Sequence, residues 1–133
     1  MLSSLLPEVR ELAERHIALS GAEGIDLLVV YAYRSLPEQE KIYAKGRSGP
    51  GKVVTGAPPG HSWHNFRRAY DVAVLSGGRI DWQSDKYRRA GEIGRSLGLV
   101  WGGDFKAIKG DLGHFEYHPG LTLARARAVA GLA

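Results

Sequence analysis

"GHSWHNFRRAYDV", residues 60–72, holds His61 and His64 three residues apart and Asp71 seven residues after the second histidine. Pro58, Pro59 and Gly60 precede it and oppose a helix. His61 and His64 could therefore share a ligand at i, i+3 spacing only if that bias were overcome. The stretch then runs into "AYDVAVL", rich in aliphatic and aromatic residues, which predicts a strand. Asp71 falls early in it, on the same side as Ala73 and Leu75. A carboxylate beside a core needs a partner. A metal ion is one solution and backbone donors at the start of the strand are another. On its own the spacing of His64 and Asp71 is common and favours the second.

Outward from this strand, "RIDW" after "SGG" completes a predicted β-hairpin. Upstream, Leu2, Leu5, Leu6, Val9, Leu12, Ala13 and Ile17 recur at helical spacing and predict a helix over 4–19, ending near Gly21. "IDLLVVYAY" reads as a buried strand, and "SLPE" as a capping box in which Ser35 and Glu38 open a helix to about Lys45, stopped by Gly46. "GRSGPGKVVTGAPPG" is a long loop. Downstream, a helix over 85–97 with Ser84 as cap precedes strands in "LVWGG" and "HFEYH" and a final short helix in "TLARARAVAGLA". The expected fold is α+β: one domain over 1–133, with a small antiparallel sheet and flanking helices.

The chain has 133 residues, enough for one real core. It lacks cysteine, so disulfides and thiolate ligands are excluded and a transition metal must use His and carboxylates. The net charge of +4 suits an anionic polymer: nucleic acid, acidic lipid or cell-wall material. Its basic residues are scattered in small groups, and no nucleic-acid-binding motif is present. The first twenty residues lack a basic start and an uninterrupted apolar run, and no stretch is apolar enough to span a membrane. These features predict synthesis in the cytoplasm without a signal peptide, and no stable membrane insertion.

A second polar cluster shifts the reading of the first. "DLGHFEYH" carries Asp111, His114, Glu116 and His118. If 113–118 is extended, His114, Glu116 and His118 share a face, and Phe115 and Tyr117 take the other. Asp111 precedes the strand and can swing to the same site. The plain alternative is an edge strand with a solvated polar face, which two such clusters in one cysteine-free chain make less credible. His16, in a helix among charged residues, is expected at the surface.

At these residues the chain resembles the VanY-like, D-Ala-D-Ala-metallopeptidase-type zinc peptidases. "SWHNFRRAYD" is similar to their SxHxxGxAxD pattern and "DLGHFE" to their second motif, a carboxylate followed by xxH. "YRSLPEQ" and "WGGDF" resemble two further family segments, in the family's order. The resemblance implies a hedgehog/D-Ala-D-Ala-peptidase-like fold, Zn2+ held by His64, Asp71 and His114, Asp111 as general base, and the peptide stem of peptidoglycan as substrate. Asp rather than Glu before xxH is the form usual in phage endolysins that cut between L-Ala and D-Glu; Glu is usual in the carboxypeptidases and dipeptidases. The expected function is thus that of an L-alanyl-D-glutamate endopeptidase, a phage or prophage endolysin waiting in the cytoplasm until a holin opens the membrane. It is expected to be a monomer that does not bind nucleic acid. A D-alanyl-D-alanine carboxypeptidase or dipeptidase, a non-catalytic cell-wall-binding domain and a nucleic-acid-binding domain are the alternatives.

Other residues follow from the same reading. Arg34, after a strand, either grips a substrate carboxylate in bidentate fashion or pairs with a structural acid. Ser62 bonds the substrate or shapes its loop. Glu116 is expected to orient a metal ligand. Trp63, Trp82 and Trp101 are expected to pack, with Trp101 able also to meet a sugar. Arg67 stands where the family has Gly, so the loop either takes an ordinary φ there or carries strain. Arg67 and Arg68 either flank the cleft or only add to a basic surface.

Overall fold

The central element is β2 (Ala69–Ser76), whose alternation sends Tyr70, Val72 and Val74 into the core and Asp71 to the opposite face. The computed structural model describes residues 1–106 and 111–132. Its elements are α1 (Pro7–Ala22), β1 (Asp26–Tyr31), α2 (Leu36–Ala44), β2, β3 (Arg79–Ile80), α3 (Tyr87–Ser96), β4 (Val100–Trp101), β5 (His114–Glu116) and α4 (Leu123–Val129). The sheet is antiparallel in the order β1-β2-β5-β4, with β3 paired to the end of β2. This is the α+β arrangement expected, with helices around a small sheet.

Register sets the site. Asp71 lies opposite His114 across β2 and β5, and opposite Tyr31 across β1 and β2, where a bulge between Val29 and Tyr31 shifts the pairing. On the other face, α1 and α3 cover the sheet. Gly91 and Gly94 let α3 approach closely: a Cβ would lie 2.2 Å from the Trp101 ring at the first and 2.5 Å from Phe115 at the second. The back of β5 is thereby held rigidly while its front is left for chemistry.

Element boundaries moved for local reasons. α1 begins at Pro7, whose fixed φ suits the first helical position, after a 3₁₀ turn over Leu2–Ser4. It runs on to Ala22, because the residue with positive φ is Gly24, not Gly21. The Ser35–Glu38 capping box forms as expected. Ser84 accepts from the Lys86 N–H one turn early, and α3 starts at Tyr87. β3 and β4 are two residues each, and β5 ends at Glu116, so His118 lies beyond the strand.

His16 corrects the sequence reading. It is fully buried on the stripe of Val9, Ala13 and Ser20. Its Nε2–H donates to the Ala90 carbonyl (2.8 Å), so Nδ1 accepts from the Tyr70 hydroxyl (2.8 Å), and the ring stands edge-on to Phe115. Burial lowers its pKa, in keeping with a neutral ring that ties α1, β2 and α3 together. Its charged neighbours lie on the outer side of the helix.

Candidate metal centre

The structure brings together His64, Asp71 and His114. One ligand-type atom of each lies within 4.8 Å of the others. Asp71 Oδ1 is 2.9 Å from His114 Nδ1 and 3.3 Å from His64 Nε2. Two of the three are cross-strand partners; His64 comes from the loop before β2, where sequence reasoning opposed a helix. A 3₁₀ turn does form there, over Trp63–Phe66. Ser62 and Asn65 cap it reciprocally: the Ser62 hydroxyl accepts from His64 N–H, and the Asn65 carbonyl accepts from the Ser62 and Gly60 N–H groups. The signal was present as S-x-x-N, a weaker form of the S-x-x-E/Q capping box. Asn65 also donates to the Arg34 carbonyl, and Arg34 N–H to the His64 carbonyl, which fasten the turn to the segment between β1 and α2.

The other ring nitrogen of each histidine is engaged. His64 Nδ1–H donates to the Ala32 carbonyl (2.7 Å), leaving the Nε2 lone pair free. His114 Nε2 faces Glu116 Oε1 at 2.7 Å, leaving Nδ1 towards Asp71. Burial alone would lower the His114 pKa, but the Asp71 and Glu116 carboxylates outweigh it and hold it at about 10. Burial likewise pushes Asp71 up, yet the hydrogen bond from His114 holds it well below the usual carboxylate range. Glu116 is shifted down in the same way, against burial, by His114 and His118. Two imidazole nitrogens and a carboxylate oxygen, with outer nitrogens pinned, suit a divalent transition ion; calcium and magnesium prefer oxygen donors alone. Sequence reading did not find the partner on the far side of Glu116: His118 bonds its other oxygen and stacks on Trp63 with centroids 4.0 Å apart.

This cluster lies in the wall of a cleft of about 380 Å³ that also takes in Arg34, Thr55, His61, Ser62, Trp63 and Phe105. Asp111 is half-exposed on its rim, with Oδ2 4.0 Å from His114 Nδ1. Partial burial raises its pKa; the positive His114 opposes this and the negative Asp71 adds to it. Arg34 makes no ion pair among the described residues. Its Nη1 donates to Gln39 Oε1 (3.2 Å), and its guanidinium lies 4.9 Å from the Tyr31 ring centroid. Ser62 shapes the loop and lines the cleft at once. His61 is exposed on the cleft wall, outside the three-residue cluster.

Three sequence expectations concern residues nearby. Trp101 is buried, its Nε1–H donating to the Leu112 carbonyl, and it packs as expected. Trp82 does not: it is 59% exposed. Arg67 adopts φ 61°, the left-handed alternative, and turns away from the cleft. Its Nη1 donates to the Ser4 carbonyl (2.8 Å) and its guanidinium lies over Tyr33. Arg68 reaches the Tyr117 carbonyl and Glu8.

The sequence profile of the D-alanyl-D-alanine carboxypeptidase family matches residues 55–117, a span that includes His64, Asp71, Asp111, His114 and Glu116. The peptidoglycan L-alanyl-D-glutamate endopeptidase CwlK of Bacillus subtilis (strain 168) is 35% identical over 127 residues, covering 88% of this chain and 75% of the relative. The chain belongs to the D-alanyl-D-alanine carboxypeptidase family of metallopeptidases. A second member, the L-alanyl-D-glutamate peptidase of Listeria phage A118, is 25% identical over 120 residues; the alignment covers 88% of this chain and 39% of the phage protein. The metallopeptidase fold is shared with the Serratia marcescens L-Ala D-Glu endopeptidase ChiX (TM-score 0.66, 21% identity, 88% of this chain and 83% of that one). It is shared equally with the vancomycin resistance D,D-pentapeptidase VanY solved in complex with Zn(II) (TM-score 0.66, 16% identity, 96% and 78%).

Proposed function

We propose that this metallopeptidase hydrolyses the L-Ala–D-Glu bond of the peptidoglycan stem, with one zinc ion held by His64, Asp71 and His114. The observation that carries the reading is the two-His, one-Asp cluster with Asp111 on its rim, in a chain 35% identical to an enzyme named for that bond. Zinc in such a site supplies Lewis acidity, activating water near neutral pH and polarising a carbonyl. The chain's own groups supply the rest. Asp111 accepts the proton of the attacking water and passes it to the leaving amine of D-Glu. Arg34, with no ion-pair partner among the described residues, grips a carboxylate of the stem and fixes the bond over the cluster. Glu116 holds the His114 ring in its working tautomer, and the Trp63–His118 stack holds Glu116.

The carboxypeptidase alternative calls for a site closed beyond one terminal residue. Here a second cavity adjoins the first across Tyr31, Asp71 and Asp111, so chain can extend to both sides of the cluster. Purified peptidoglycan incubated with the protein decides the matter. New amino-terminal D-Glu supports the endopeptidase; released D-Ala supports the carboxypeptidase; no new termini would leave a wall-binding domain. No helix among the described residues is long and apolar enough to cross a membrane. A monomer acting on the wall as a lytic enzyme of the phage or prophage type, released through a holin, completes the reading. Sedimentation of the protein, and the turbidity of cells exposed to it from outside, would each contradict this if a dimer or no lysis were found.

A further inference from the structure

The cleft continues past the metal cluster, and its chemistry changes on the way. The first cavity contains Arg34 and His61. The second, of about 340 Å³, shares Tyr31, Asp71 and Asp111 and adds Val30, Trp82, Tyr87 and Leu112; among the described residues no basic side chain lines it. Trp82 is its most conspicuous wall. The indole is largely exposed, yet its backbone is fixed. Asp81 N–H donates to the Val74 carbonyl (2.8 Å), and the Asp81 carboxylate accepts from the Ser76 hydroxyl (3.2 Å) and from Gln83 N–H (3.0 Å). A rigid turn thus presents a large apolar face to solvent, next to a catalytic groove. Aromatic residues placed this way are typical anchors for a ligand with one apolar face and a polar rim.

The two halves of the proposed substrate differ in the same sense as the two cavities. On the D-Glu side of the scissile bond the stem carries free carboxylates, the first on the residue that supplies the leaving amine. That anionic half matches Arg34. On the other side L-Ala is acylated by the lactyl ether of N-acetylmuramic acid, a neutral group with an apolar pyranose face. Placed in the first cavity it would leave Arg34 without an anion. Placed in the second it meets no cation among the described residues, and its ring can cover the indole.

We propose that the second cavity is a subsite for the N-acetylmuramyl group that bears the stem, with the sugar ring seated on Trp82. The assignment rests on the L-Ala–D-Glu reading above, and it makes glycan-linked stems the preferred substrate over stems already freed from the glycan. The test compares two soluble substrates with the zinc-loaded protein: N-acetylmuramyl stem peptide, and the same stem with L-Ala capped only by acetyl. Their ratio of kcat/KM is expected to favour the muramyl form about tenfold or more, as for loss of one central aromatic anchor. In Trp82→Ala the ratio should fall close to one, chiefly through KM of the muramyl substrate; Trp82→Tyr, which keeps an aromatic face, should retain most of it. A wild-type ratio near one, or the same ratio in Trp82→Ala as in wild type, overturns the subsite. Cleavage of neither substrate between L-Ala and D-Glu overturns instead the reading on which it rests. In that event, muramyl disaccharide quenching the tryptophan fluorescence of the wild type but not of Trp82→Ala still upholds a sugar site, and no quenching in either removes it.

Discussion

Arg67 offers a perturbation whose sign is diagnostic. Its φ of 61° places a side-chain-bearing residue in the left-handed region, at about 1–2 kcal/mol. The bond from Nη1 to the Ser4 carbonyl (2.8 Å) is worth about 0.5–1 kcal/mol at an exposed site. The guanidinium 3.9 Å from the Tyr33 ring centroid adds about 0.5–1 kcal/mol. Arg67→Ala loses both contacts and keeps the backbone strain, so it should be destabilised by about 1–2 kcal/mol. Arg67→Gly loses the same contacts but sheds the strain, against about 0.4–1 kcal/mol of extra chain entropy in the unfolded state. Glycine should therefore come out more stable than alanine by roughly 0.5–1 kcal/mol. At an ordinary φ the order reverses, because glycine then has only its entropic disadvantage. Urea unfolding of the three proteins in excess chelator, with slopes of about 1–3 kcal/mol/M, resolves the difference as a shift in midpoint. An alanine variant as stable as the glycine variant would refute the left-handed turn. Metal content should be the same in all three, since Arg67 points away from the cluster; a variant that loses metal would show that the turn holds His64 as well.

Four further outcomes follow from the site. His64→Ala and His114→Ala should each lose most bound metal by elemental analysis, and full occupancy in either would bring His61 or His118 forward as ligand. Asp111→Asn should retain metal and fold but hydrolyse the stem about 10²–10⁴-fold more slowly, and near-normal turnover would point to Glu116 as base. Glu116→Gln should weaken metal affinity about 10–100-fold in a competition titration while the ligands stay intact; unchanged affinity would mean that Glu116 does not orient His114. Without metal the Asp71 and Glu116 carboxylates push His114 up to about 10, so near neutral pH ligation must displace its proton, and affinity should rise with pH, by at most tenfold per unit from this group alone. Calorimetry in buffers of different ionisation enthalpy would show about one proton released near neutral pH, and zero release would contradict the ion pair.

The polar residues of the site were readable because they sit in two short segments with strand alternation or fixed spacing. What joined them was not readable. The pairing of Asp71 with His114 is a register between distant segments, and the bonds from Ala32 and Arg34 to the His64 turn come from a third. His16 was misplaced because its charged neighbours hid its membership of the Val9–Ala13–Ser20 stripe; the spacing of 3 and 4 was in the sequence, but a titratable side chain on an apolar face argues against burial until a partner such as Tyr70 is known. Trp82 was misread for the opposite reason. A large apolar residue is assigned to a core by default, and only the fixed turn after β3 shows that it is left largely exposed. At Arg67 both conformations were open, since the choice lies in the closure of the 3₁₀ turn.

The cross-strand facing of Asp71 and His114 has a bearing on local unfolding. β5 has only three residues, and β2 and β5 are further tied at their margin by Val72 N–H to the Gly113 carbonyl (2.8 Å). An ion bound by one ligand on each strand must be released before β5 can peel from β2. Amides at this seam should then exchange with deuterium only through metal release or global opening, while in chelator they exchange through a cheaper, local route. The amides of α1, on the far side of the sheet, report global opening in both conditions. The site would thus act as a clasp on a short seam near the middle of its own sheet, and scarcity of metal would first be felt as a loosened strand.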